Sequence, residues 1–496
     1  MALFDLSLSP KNTKKEQDRV LKKLLRRAKN TAFGNTFQFE TLLKSKTPAK
    51  DFQKAVPIYN YNKIYKEWWH KCMEGASDVC WPGKIKYYAL SSGTSEASSK
   101  YIPVTRELLS GNKAIMVKQL LSLRHYKNIP YTSIAKGWLA IGGSTDLQKG
   151  TGFYAGDLSG ITAKKLPSWF QPFYKPGKKI AKEKDWNKKL EEIVAEAPNW
   201  DIGFLVGVPA WIQLCIEMIV KKYNLKNIHE LWPNLSFFGH GGVSFEPYKK
   251  GFEKLLGKPI TYIETYLASE GFIAYQDHQN AVGMRLVTGQ HLFLEFVPFN
   301  ENNFDEDGEI KESATALLID EVEEGTDYAV LISTAAGAWR YLIGDTVKFI
   351  DKENAQIIIT GRTKHFLSLV GEHLSVDNMN KAVETVSEAF NISIPEYTVT
   401  GVPHGNLFAH KWYVACNDAV NETKLAAAID QYLCTINDDY ATERKSALQD
   451  VSVTVIKEAV FMGFMESQGK LGGQHKFPRV LKGKQLEAFE TFIRNK

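Results

Sequence analysis

The chain has 496 residues, of which 44% are hydrophobic and 24% charged, and its formal net charge is +6. That length exceeds one compact core and predicts two or three domains; the composition is that of a soluble globular protein, not a fibrous or disordered one. Five widely spaced cysteines with no C-x-x-C pair argue against a disulfide framework or a zinc site and fit a reducing cytoplasm.

Met1–Gln17 runs from a short mixed apolar stretch into lysines, without the long apolar core of a secretory signal. A cytoplasmic location and no membrane partner are expected. Residues 13–30 place Val20, Leu21, Leu24 and Leu25 on one face of an amphipathic helix. Residues 85–90 read as a strand ending in Ser91-Ser92-Gly93-Thr94-Ser95, and Lys100–Thr105 as the returning strand. This hydroxyl- and glycine-rich loop suits phosphate through its backbone N–H groups, although no Walker A pattern occurs.

Ala163–Lys189 carries nine lysines against two acids, interleaved with aromatics. A solvated face explains it better than a nucleic-acid surface, so no nucleic-acid partner is expected. The apolar window Phe204–Val220 reads as a buried helix starting near Pro209, not a membrane span. A βαβ-like passage follows: strand Leu235–Phe238, glycine turn Gly239–Gly242, helix Phe245–Leu256 and strand Ile260–Glu264. His240 reads as a turn histidine rather than a base. The last strand leads into Tyr266-Leu267-Ala268-Ser269-Glu270-Gly271. Glu270 is the best Mg2+ candidate, because that ion commonly takes one carboxylate plus phosphate oxygens. Tyr266 suits adenine. On its own, Ser269-Glu270 also fits a helix cap.

From 283 to 350 the pattern changes to antiparallel strands at Leu292–Phe296, Ala316–Ile319, Asp327–Thr334 and Val347–Ile350, a β-rich subdomain that feeds Asp345. An Asp after the turn glycine Gly344 suits ribose hydroxyls. Arg362 and Lys364 then suit the phosphates or a hinge. After Gly361-Arg362 comes a small α/β domain with helices at Asp377–Phe390 and Thr423–Ala441 and strands at Tyr397–Gly401, Lys411–Ala415 and Val451–Ile456. Lys476 lies in a glycine-flanked stretch near its end.

Joining a carboxylate to the α-phosphorus of ATP brings two anions together, so the chemistry needs alignment and neutralising charge rather than a protein nucleophile. A donor loop, a carboxylate for Mg2+ and a mobile cation are the parts found. These residues resemble the adenylate-forming superfamily of acyl-CoA synthetases, firefly luciferase and nonribosomal adenylation domains. More closely, Ser91–Ser95 with Lys100-Tyr101-Ile102-Pro103, the tyrosine motif, and Gly325–Tyr328 through Ala336–Tyr341 to Gly344-Asp345 resemble the acyl acid amido synthetases, the auxin-responsive Gretchen Hagen family, and their microbial relatives.

The resemblance implies an α/β fold with mixed sheets and a β-rich subdomain in a large N-terminal domain (1–361) that binds ATP and the acid. A small mobile C-terminal domain (362–496) would follow. It implies that Ser91, Ser92, Gly93, Thr94 and Ser95 hold phosphate, that Gly241-Gly242 walls the adenine, and that Tyr266, Ser269 and Glu270 serve adenine, phosphate and metal. Asp345 would bind ribose, Arg362 would lie near ribose and phosphate, Lys364 would be the hinge, and Lys476 the adenylating lysine. The activity implied is formation of an acyl-AMP from ATP, then transfer to an amine, with an amino acid as the expected acceptor.

Two departures stand out. Leu342 occupies the place where relatives carry an arginine, with Arg340 before the tyrosine instead. Leu369-Val370-Gly371-Glu372 is nearer to acyl-CoA synthetases, which keeps coenzyme A open as acceptor. A binding protein for an anionic partner with a decayed nucleotide site is the non-enzyme alternative. Leu, Ile and Trp are frequent after Thr105 and over 200–240, so the acid is expected to be apolar or aromatic. Arg124 is a further candidate for meeting its carboxylate.

Overall fold

The computed structural model describes residues 10–91, 100–127, 129–242, 245–305, 308–363, 366–372, 374–468 and 477–495. The opening helix, Pro10–Ala28, buries Val20, Leu21, Leu24 and Leu25, the four positions its periodicity singles out. Tyr87–Ser91 and Lys100–Val104 pair antiparallel in a separate four-stranded sheet. Thr105 caps the helix Arg106–Ser122 by accepting the Leu108 N–H.

One eleven-stranded sheet forms the centre. Its order is Leu292–Pro298, Asp327–Thr334, Tyr341–Asp351, Gln356–Arg362, Met284–Leu286, Gly271–Tyr275, Thr261–Ala268, Phe237–Gly241, Ile202–Gly207, Gly137–Ala140 and Tyr174–Lys175. Strands from Leu292–Pro298 to Thr261–Ala268 pair antiparallel; from Thr261–Ala268 onward every pairing is parallel. The β-rich passage is therefore one wing of the main sheet rather than a sheet of its own. Within it, Ala316–Ile319 forms no strand among the described residues; Leu317 bridges Phe296.

Several sequence boundaries shift. The strand expected at Leu235–Phe238 runs Phe237–Gly241, which puts Gly239, His240 and Gly241 in the strand; Gly242, just past it, takes a left-handed φ of +86°. The next strand extends into the tyrosine motif as Thr261–Ala268. Asp345 lies inside the strand Tyr341–Asp351, although Gly344 keeps a left-handed φ of +95° there.

The C-terminal residues build a three-stranded sheet, Tyr397–His404, Leu407–Ala415 and Leu448–Ile456, with helices Val376–Phe390 and Glu422–Ile436. The helix expected at Thr423–Ala441 divides, because Asn437 ends one helix and caps the next, Asp438–Arg444. This part shares an apolar cluster with Ile212, Ile216 and Phe252 of the parallel half. Tyr248 Oη donates to Leu369 O (2.7 Å), and Trp211 Nε1 donates to both oxygens of Glu443 (3.1 and 3.2 Å). Among the described residues no helix is long and apolar enough to cross a membrane.

Candidate functional site

The site gathers where the sheet changes from antiparallel to parallel. Thr261–Ala268 and Gly271–Tyr275 form a hairpin whose connection is Ser269-Glu270. Tyr266, on the first strand, donates its hydroxyl to Asp345 Oδ2 at 2.6 Å. Asp345 is the cross-strand neighbour of Arg362, whose Nε lies 3.0 Å from Asp345 Oδ1. Tyr266 and Arg362, from different parts of the chain, thus meet on the Asp345 carboxylate. Burial, then the charge of Asp345, drives the Tyr266 hydroxyl well above its ordinary pKa, so it stays a donor.

Glu270 is buried, and burial raises its carboxyl pKa. The Lys100 ammonium is the largest influence in the other direction; Arg362 also lowers it, and Asp345 opposes both. Tyr341 is fully buried, its hydroxyl pushed up by burial and then by Glu270, with which it shares a hydrogen bond. Two carboxylates and two cations nearly balance. A bound triphosphate would leave the pocket strongly negative, and a desolvated carboxylate such as Glu270 fits a divalent cation that would redress this.

Ser91 pairs with Lys100, so the segment between them leaves and returns at one point of the small sheet. Ser92, Gly93, Thr94 and Ser95 lie outside the described residues, as do Lys364 and Lys476. Lys100 Nζ sits 5.7 Å from the Tyr61 ring centroid, and Tyr61 Oη accepts the Tyr101 N–H at 2.9 Å. A Cβ on Gly241 would lie 2.4 Å from Thr265 O, so the close pairing of these strands requires glycine there. The structure thus brings together Tyr266, Glu270, Asp345 and Arg362, with Ser269 in the same turn as Glu270.

Beside Gly241 a cavity of about 340 Å3 is lined by His240, Phe245, Lys249, Tyr262, Glu264 and Gln276, with others. His240 is a buried strand residue, not a turn residue, and burial lowers its pKa to about 4. Such an imidazole is neutral and a poor base near pH 7. Glu264 and this cavity were not singled out from the sequence, and Tyr341 stood there only as a motif tyrosine with no role of its own; the alternation Tyr262-Glu264-Tyr266 on one strand face is the signal for Glu264. Arg124 is exposed and donates to His125 Nε2.

Elsewhere the motifs serve the scaffold. Arg340, the displaced arginine, binds Glu295 through Nε (3.0 and 3.2 Å) and donates through Nη1 to Gln53 O and Val56 O. Leu342 packs in an apolar cluster with Leu331 and Val297. In the basic segment, Lys184 pairs with Asp146, Lys188 with Glu183, and Lys189 donates to Gly142 O.

Three family descriptions match along the chain: the GH3 family N-terminal domain over residues 3–195, the central domain over 285–362 and the C-terminal domain over 377–485. The chain belongs to the GH3 family. A jasmonoyl–L-amino acid synthetase of Nicotiana attenuata is 23% identical, over 98% of this GH3 chain and 94% of its own. An indole-3-acetic acid-amido synthetase of Arabidopsis thaliana is 26% identical over 38% of this chain and 34% of its own.

Among solved structures, the acyl acid amido synthetase GH3.15 in complex with 2,4-DB superposes with a TM-score of 0.59 at 18% identity, covering 98% of this chain and 94% of that one. A 2-hydroxyisobutyryl-CoA ligase, with its acyl-AMP and CoA, gives 0.60 at 11% identity, covering 99% and 94%. The fold is that of the adenylate-forming enzymes, as the motif order implied.

Proposed function

We propose that this GH3 protein is an AMP-forming ligase that adenylates a small carboxylic acid with ATP and passes the acyl group to an amine, an amino acid, to give an amide. The observation that carries the reading is the convergence of Tyr266, Asp345 and Arg362, beside buried Glu270, in a chain matched by all three GH3 domain families.

Asp345 accepts from the ribose hydroxyls, with Tyr266 and Arg362 fixing its orientation. Gly241-Gly242 and the Tyr266 ring flank the base. Ser91–Ser95 donate to the phosphates, and Arg362 adds charge beside them. Glu270 would hold Mg2+, which when bound supplies positive charge against the phosphate oxygens. An oxygen of the substrate carboxylate attacks the α-phosphorus, and the bond to pyrophosphate breaks. Lys476 bridges carboxylate and α-phosphate, entering on a C-terminal unit (362–496) that turns about Lys364 against the 1–361 unit. In the second half-reaction the amine lone pair attacks the acyl carbonyl carbon, AMP leaves, and the amine loses a proton. An apolar or aromatic acid fits the Leu- and Ile-rich helix Arg106–Ser122. A cytoplasmic setting belongs to the same reading, with neither membrane nor nucleic acid as partner.

The Leu369–Glu372 stretch favours one second reading, coenzyme A thiol as acceptor. Purified protein, ATP, Mg2+ and a panel of acids, each with mixed amino acids or with coenzyme A, separates them by product mass. AMP release with an amide product is expected. A thioester replaces the acceptor, and no AMP with any acid overturns the ligase reading for that panel.

A further inference from the structure

The Ser269-Glu270 turn is held from outside its own hairpin. Pairing along the two strands runs Ala268 to Gly271 and Leu267 to Phe272, then slips by one residue at Ile273, so that Tyr266 faces Ala274. A bulge of this kind re-aims the side chains around it and weakens the local ladder. The Phe272 N–H, two residues from Glu270, donates to the side chain of Asn112 at 3.1 Å. Asn112 sits in the middle of the Arg106–Ser122 helix and is itself buried.

The same oxygen, Asn112 Oδ1, has a second partner in His291 Nε2 at 2.9 Å. Because that oxygen already accepts a backbone N–H, the imidazole must donate. Nε2 therefore carries the proton, and Nδ1, which has no hydrogen-bond partner among the described residues, is the bare nitrogen. His291 is also buried. Its ring lies where a Cβ on Gly111 would be, 2.0 Å from Nδ1, so only glycine at 111 admits it against the helix. Helix, imidazole and hairpin interlock at one oxygen. The helix also follows directly on the strand Lys100–Val104, the exit of the phosphate-loop segment.

We infer that Asn112, oriented by His291, is a positioning residue that fixes the Ser269-Glu270 turn for metal–nucleotide binding, coupling it to the helix that follows the phosphate loop. The inference rests on the metal reading of Glu270 given above. Neither residue touches the nucleotide; both act through the Phe272 backbone and the bulge.

The test is calorimetric binding of ATP to the full chain, without acid substrate, in the presence and absence of Mg2+. In the wild-type protein Mg2+ tightens ATP binding. Asn112→Leu, close in size but with no acceptor, loses about 10–100-fold of that Mg2+-dependent gain, the usual effect of removing an outer-shell partner. Binding without Mg2+ changes little, and Asn112→Asp, which keeps the acceptor, restores the gain. Thermal unfolding of each variant reports folding. Should Asn112→Leu not fold, His291→Phe removes the second contact alone and shows a smaller loss in the same direction. An Asn112→Leu or His291→Phe protein that is folded and keeps the full Mg2+ gain overturns the inference. Glu270→Gln is the control: if it keeps the full gain, the metal reading falls and the inference with it; if it loses the gain while folded Asn112→Leu does not, only the inference falls.

Discussion

Arg340–Glu295 and Arg362–Asp345 are the same chemical pair put to different ends. At Arg340 the guanidinium contacts Glu295 and two backbone carbonyls, while Gln53 Nε2 donates to Glu295 Oε1 at 3.0 Å. The side chains are 6% and 0% exposed, and Arg340 is held at a left-handed φ of +43°. Polar groups of the protein fill the surroundings, and the arrangement is structural. At Arg362 the exposures are 25% and 17%, and beside the pair Gly344 carries no side chain, where a Cβ would lie 3.9 Å from Arg362 Nη2. An ion pair becomes a site when the protein leaves one side of it uncovered.

The comparison breaks most severely at the closed pair. Glu295→Ala strands a buried guanidinium and is expected to destabilise the protein by about 3–5 kcal/mol, read as a large fall in thermal midpoint; a change below about 1 kcal/mol would contradict the structural role. At the open site, Glu270→Gln is expected to cut AMP release by about 100-fold or more while the thermal midpoint stays near wild type. Tyr266→Phe, which removes one hydrogen bond to the Asp345 carboxylate, is expected to cost about 1.5–3 kcal/mol. It would appear mainly as a raised KM for ATP, with the acid KM unchanged.

The last test concerns a third buried carboxylate. Burial raises Glu443 to about 8, with the Trp211 and Ser446 hydrogen bonds opposing and Glu372 adding to the rise. The folded state therefore holds a proton that the unfolded chain, titrating near its ordinary 4.5, has released. Stability from this group is present below about pH 4.5 and is lost as pH rises towards 8. Glu443→Gln should flatten the decline of thermal midpoint between pH 5 and 8; an unchanged slope would assign the decline to other groups.

The helix Pro10–Ala28 and the strand Asp327–Thr334 were legible because periodicity and turn residues act locally. The continuity of the central sheet was not. Met284–Leu286 pairs with residues near 356, and nothing in either segment names its partner. Tyr266, Glu270, Asp345 and Arg362 stood out as motif residues, yet the hydroxyl contact from Tyr266 to Asp345 depends on two strands from different parts of the sheet. Arg340 was visible as a displaced arginine, but its carbonyl partners at 53 and 56 could not be read. Asn112 and His291 gave no signal, since a lone asparagine in a helix and a lone histidine are common and their meaning comes only from meeting at Phe272.

The change of strand direction in the eleven-stranded sheet has a consequence for how the chain could be divided. The hairpin that carries Glu270 is the seam between the two wings: the carboxylate assigned to ribose comes from the antiparallel wing, and the glycine wall from the parallel one. A fragment that ends after the hairpin keeps Tyr266 and Glu270 but has no Asp345; the complementary fragment keeps Asp345 and Arg362 with no tyrosine to orient them. In the reading proposed above, nucleotide recognition is a property of the joined sheet, with no portable half.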